Sequence, residues 1–134
     1  MSNVENLAIE YINKQTYPTI AINEDDITEL IILMKELPYN IYGYYDSYAK
    51  ITINADILGS ETILITLIHE LIHFIADKYF SPNYFDDDIT FKSLLYFILP
   101  TEYDKYYNND DDIIKANSFS ELLEFLNYVE YIYE

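Results

Sequence analysis

The chain has 134 residues and a formal charge of -17, from 24 acidic residues against 7 basic ones, all lysine. That excess disfavours direct contact with nucleic-acid phosphates or anionic membrane surfaces, while a 51% hydrophobic and 17% aromatic composition excludes a chain too polar to build a core. The absence of cysteine removes disulfides, thiolate metal sites and thiol nucleophiles, and fits a reducing compartment.

The opening stretch "MSNVENLAIE" lacks both a basic n-region and a long apolar run, and the most apolar stretch, Ile63 to Ile75, is shorter than a bilayer span. A cytoplasmic protein with one domain over residues 1–134 is the expectation. Ser2 and Glu5 have capping-box spacing, and Leu7, Tyr11 and Ile12 share a side, so the first helix is predicted over 3–14. "TYPTIAIN" reads as a short strand with Pro18 near its start. Asn23 is a good N-cap, followed by three acidic residues. Ile27, Leu30, Ile31, Met34 and Leu37 then recur at helical spacing until Pro38, which predicts a second helix.

"NIYGYYDSYAKITIN", residues 40–54, is β-branched and tyrosine-rich, and predicts two antiparallel strands. In its second half Tyr48, Lys50, Thr52 and Asn54 alternate with Ala49, Ile51 and Ile53, the pattern of a half-buried strand. As an edge strand, 48–54 would either receive an extended peptide or be blunted by Lys50. A third helix runs from Gly59 and Ser60 to about Phe80. "DDDITFKSLLYFILP" reads as a fourth, ended by Pro100, with Phe91, Leu94, Leu95 and Ile98 on its core face. "TEYDKYYNNDDD" reads as a polar loop. Ser118 and Glu121 form another capping box, opening a last helix that turns Leu122, Leu126, Val129 and Tyr133 inward. The sum is an α+β fold, with helices packed on a short, mostly antiparallel sheet and the third helix buried at its centre.

That third helix carries "LIHELIHFI", with the only two histidines of the chain. At 100° per residue Thr62, Thr66, His69, Glu70, His73 and Asp77 fall within an arc of about 100° on an otherwise apolar helix. Burying such groups without partners costs several kcal/mol each, so the stripe must face hydrogen-bond partners, a cleft or a metal ion. His69 and His73, one turn apart, can point a nitrogen each at one Zn²⁺, and Glu70, offset between them, stands where H-E-x-x-H places a general base. The bland alternative is a pair of hydrogen-bonded core histidines.

A catalytic zinc normally has three protein ligands, and a carboxylate must supply the third here. Asp77 lies about 12 Å beyond His69 along the axis, too far to share the ion, and suits an outer role orienting His73. Asp86, Asp87 and Asp88 open the fourth helix, where compensation of the helix dipole is the plain explanation. Asp87 and Asp88 also precede Phe91 by four and three residues, on the core-facing side, so they stand first and second as ligands. Glu102 and Glu124 are more distant candidates.

From about Ile41 to Pro100, through "ITIN", "TLIHELIHFI" and an acidic start leading to "SLLYFILP", the chain resembles the small zinc peptidases of the ImmA/IrrE-like group among the gluzincins, with the SprT-like zinc proteins a second similarity. The resemblance implies a small zincin-like domain that hydrolyses peptide bonds, with His69 and His73 as ligands, Glu70 as base and the Asp86–Asp88 cluster in the place of an acidic ligand. It departs from the group in having aspartate where the group has glutamate, and in lacking its "EAN" and "FA" signature. It further implies a protein or peptide partner, such as a specific regulatory protein in a phage or other mobile element. The oxyanion donor cannot be a third histidine, which leaves a phenol such as Tyr103, Tyr106 or Tyr107. A reading from another class is a non-catalytic acidic binder, either a nucleic-acid mimic or a zinc-bound fold without catalysis, that inhibits a partner.

Overall fold

The computed structural model describes residues 3–16, 31–38, 40–46, 50–54, 59–80, 88–107 and 113–133. Among them the fold is α+β, with five helices and a three-stranded mixed sheet. Helix α1 (Asn3–Thr16) buries Ala8, Ile9, Ile12 and Thr16, residues that recur every three to four positions. Leu7, expected to share that inward side, is instead 45% exposed. The Thr16 hydroxyl donates to the Ile12 carbonyl at 2.9 Å, which lets a polar residue sit in the core.

Strands β1 (Ile31–Lys35), β2 (Gly43–Tyr45) and β3 (Lys50–Asn54) are arranged β1-β3-β2. β1 runs parallel to β3, from Ile31 opposite Lys50 to Lys35 opposite Asn54, whereas β2 is antiparallel, with Gly43 opposite Ile53. The sheet is therefore half parallel, not mostly antiparallel as expected.

Three further expectations fail in this region. Residues 31–35, read as the C-terminal half of a helix, are a strand: "IILMK" offers apolar side chains on both sides and opens with a β-branched pair, so pairing with β3 overrides the helical spacing. Residues 36–38 are not helical either, while the earlier part of that predicted helix and the "TYPTIAIN" strand lie outside the described residues. β3 is the central strand rather than an edge, so all of Ile51–Asn54 is buried instead of alternate residues. Among the described residues the outer strands are β1 and β2.

Asn54 replaces part of the ladder at the end of β3. Its Oδ1 accepts from Leu37 N–H at 3.4 Å, and its Nδ2 faces the carbonyls of Leu37, Pro38 and Ile41 at 3.1, 3.2 and 3.0 Å. This fully buried amide satisfies the segment that carries the chain from β1 past β3 to β2.

Helix α2 (Ser60–Tyr79) packs against α1, β2, β3 and the next helix, and buries Leu67, Ile68, Leu71, Ile72, Phe74, Ile75 and Ala76. α3 (Ile89–Ile98) buries Phe91, Leu94, Leu95 and Ile98 as its spacing predicts. The Tyr11 hydroxyl of α1 donates to the Ile98 carbonyl at 2.8 Å, satisfying a group left open at the end of α3.

The stretch after Pro100, read as loop, begins with helix α4 (Pro100–Tyr106). Proline at the first helical position has no N–H to lose and a φ already suited to helix, so the residue that ends α3 starts α4. Helix α5 (Phe119–Tyr133) opens as expected, with Glu121 N–H donating to the Ser118 hydroxyl at 3.1 Å, and it buries Phe119, Leu122 and Leu126. The side chains of Val129 and Tyr133 lie outside the described residues. No helix among the described residues is long and apolar enough to cross a membrane.

Candidate metal centre

His69, Glu70 and His73 project from the middle of α2. One ligand atom from each, two imidazole nitrogens and a carboxylate oxygen, lie within 4.8 Å of one another. Atoms that share a tetrahedral ion at about 2.1 Å stand about 3.4 Å apart, and a base reaching a bound water stands slightly farther out, so this cluster has the dimensions of a small metal site. Both histidines are half-buried, and Glu70 is only 6% exposed.

Packing sets the ring planes. The imidazoles are 5.4 Å apart at 64°. Phe91, fully buried on α3, lies 4.0 Å from His73 at 14° and 5.1 Å from His69 at 59°. Tyr45 of β2 lies nearly parallel to His73, with centroids 6.4 Å apart. The helix spacing brings the two rings to one side, and α3 and β2 restrict their orientation.

The polar stripe of α2 opens on a cavity of about 550 Å³ lined by Thr62, Thr66, His69 and Glu70. Tyr42 and Gly43 form another part of its wall, Leu95 comes from α3, and Glu102, Lys105 and Tyr107 close it from α4 and just beyond. Gly43 is required by close approach. A Cβ there would stand 2.8 Å from the Thr52 carbonyl oxygen and 3.0 Å from Thr66 Cγ2, so only glycine lets β2 come this near to α2.

The hydrogen bonds at the two ends of the hairpin fix which groups of β2 face outward. Asn54 N–H donates to the Tyr42 carbonyl at 2.9 Å, and Asp46 N–H donates to the Lys50 carbonyl at 3.0 Å. By the alternation of antiparallel ladders, residues 42, 44 and 46 bond to β3, and Gly43 turns its own N–H and C=O to the outer edge.

The other expected site residues are distributed as follows. Asp88 is the N-cap of α3, half-buried and in extended conformation, one turn before Phe91, but it does not belong to the three-residue cluster. Asp86 and Asp87 lie outside the described residues. Glu124 is exposed on α5. Glu102 shares the cavity with His69 and Glu70, also outside the cluster, and Lys105 Nζ lies 3.0 Å from its Oε1. Among the three tyrosines considered, Tyr103 is buried between Tyr96 and Tyr107, the Tyr106 side chain lies outside the described residues, and Tyr107 reaches the cavity wall.

Reading "TEYDKYYNNDDD" as loop hid the contribution of α4. The signals were Pro100 at a helix start and the three-residue spacing of Glu102 and Lys105. Comparison of the chain with protein-family models, curated proteins and solved structures finds no match.

Proposed function

We propose that the protein is a zinc-dependent metallopeptidase with a zincin-like domain, similar to the ImmA/IrrE-like group. The observation that carries this reading is the convergence of His69, Glu70 and His73 beside a cavity whose wall includes His69 and Glu70. The residues suit the ion: two imidazole nitrogens, borderline donors that match Zn²⁺, lie close together in a chain without thiolate, with the Glu70 carboxylate near enough to reach a bound water without ligating. In this reading the third ligand is a carboxylate of the acidic run before α3, Asp87 or the N-cap Asp88, and α3 is the helix whose Phe91 packs on both imidazoles.

Zinc, when bound, supplies Lewis-acid polarisation of a carbonyl and a water of lowered pKa. The remaining tasks fall to side chains and backbone of the protein. The Glu70 carboxylate takes a proton from the attacking water and returns it to the departing amine. The Tyr107 phenol donates to the oxygen on which negative charge develops. Gly43 offers its outward N–H and C=O to an extended peptide laid along β2, so that the scissile bond comes to the cavity beside Glu70.

Metal analysis of the purified protein tests the reading. One zinc per chain, lost in His69→Ala, is expected, and Glu70→Gln keeps the metal while cleavage of a bound protein substrate stops. A metal-free wild type, or a Glu70→Gln variant that cleaves at the wild-type rate, refutes it. The first of these outcomes favours the non-catalytic acidic binder.

A further inference from the structure

Among the described residues the charged side chains that line the cavity, apart from the metal cluster, are Glu102 and Lys105. They differ in setting. The Glu102 side chain is 12% exposed, held in the wall, whereas that of Lys105 is 60% exposed and reaches the carboxylate from solvent, at 3.0 Å. A solvated pair of this kind contributes little, because the ammonium is strongly hydrated and its four-carbon stem loses rotamer freedom to hold one geometry. Displacing Lys105 is therefore cheap, but leaving Glu102 without a cation is not, since a carboxylate largely removed from water needs a charge or donor beside it.

We propose that Glu102 is the specificity residue of the cavity, receiving an alkylammonium or guanidinium group of the substrate in exchange for Lys105. The inference rests on the peptidase reading above and names the substrate class: an extended polypeptide that places a cationic group beside Glu102. Lys105 then acts as a built-in competitor, whose ammonium already demonstrates that this chemistry fits the carboxylate. A cavity of about 550 Å³ has room for a lysine or arginine side chain. The net charge of -17 draws cationic segments to the protein and repels anionic ones, which argues against the opposite role, Lys105 as an anchor for a substrate carboxylate.

The test uses binding, not turnover. Short N-acetylated, C-amidated peptides with one central lysine, norleucine or glutamate are titrated into the full chain carrying Glu70→Gln, alone and combined with Glu102→Gln or Lys105→Ala. A fourth peptide, free at its N-terminus and lacking lysine, separates a terminal ammonium from a side-chain one. The expected preference for lysine over norleucine is about fivefold, falling to about one in Glu102→Gln. Lysine-peptide affinity rises about threefold in Lys105→Ala, since the competitor is gone.

Three results overturn the proposal: glutamate-peptide binding best, Lys105→Ala leaving lysine-peptide affinity unchanged or lower, or no lysine-peptide binding at millimolar concentration. Thermal melts verify that both variants are folded. Because no arm needs zinc or hydrolysis, loss of the metallopeptidase reading would leave the lysine preference intact. Conversely, cleavage without that preference sinks only the assignment of Glu102.

Discussion

Replacing Gly43 by alanine tests whether the close approach of β2 to α2 holds the site together. The added Cβ would meet the Thr52 carbonyl oxygen at 2.8 Å, Thr66 Cγ2 at 3.0 Å and Ile53 Cδ1 at 3.1 Å. The first contact is backbone, in the middle of the central strand, and cannot rotate away. Strands β2 and β3 must part by about half an ångström, an overpacking that costs roughly 1–3 kcal/mol. Alanine also narrows the unfolded ensemble, which returns about 0.4–1 kcal/mol.

The net is a loss of about 1–2 kcal/mol, a fall of roughly 0.5–1 M in the urea midpoint at unchanged m. Valine in the same place loses more. The strain is directed at the site, because Thr66 lies one helical turn before Glu70 and Tyr45 of β2 stacks on His73. On the proposed zinc reading, metal affinity should therefore fall together with stability. A Gly43→Ala variant whose urea midpoint equals or exceeds that of the wild type would show that β2 does not pack against α2 in this way.

Phe91→Ala should cost about 3–5 kcal/mol, as a fully buried aromatic truncated to a cavity. Phe91→Leu keeps most of the volume and loses the ring against both imidazoles, so zinc affinity should drop about tenfold, read by competition with a chelating dye, while the melting temperature changes far less than in Phe91→Ala. Tyr11 provides a pH signature, because burial raises its phenol above the ordinary value. The folded state thus holds the proton more tightly than the unfolded state. The associated stability is complete below about pH 10 and is lost as pH rises through the higher folded-state value. Tyr11→Phe should be less stable by about 1 kcal/mol at neutral pH for want of the bond to Ile98, and its alkaline decline in urea-denaturation stability should be shallower than that of the wild type. An equal slope in both would remove Tyr11 from the account.

Where one local signal dominated, the sequence was legible. The N-cap at Ser118, the apolar face of α3 and the polar stripe of α2 each carry a period or a cap that no neighbour contradicts, and the described structure has them, with Ser118 capping through its hydroxyl. Residues 31–35 were not legible, because a run with apolar side chains on both sides fits helix and strand alike, and the decision is made by β3, some twenty positions later. The central placement of β3 has the same origin: strand order is a property of pairing, and the alternation in "YAKITIN" reports side-chain character, not which faces are covered. At the site, the i and i+4 spacing of His69 and His73 was sufficient to bring their nitrogens together. The arrival of Glu102 and Lys105 in the same cavity was not, since it depends on a proline that both stops α3 and starts α4.

The buried amide of Asn54 has an effect on alignment. Sliding β3 by one residue along either neighbour would send Ile51 and Ile53 to the opposite side and withdraw the amide from the carbonyls of Leu37, Pro38 and Ile41. One polar side chain thus acts as a key that admits a single frame for the three described strands, and the lock it enters is a loop.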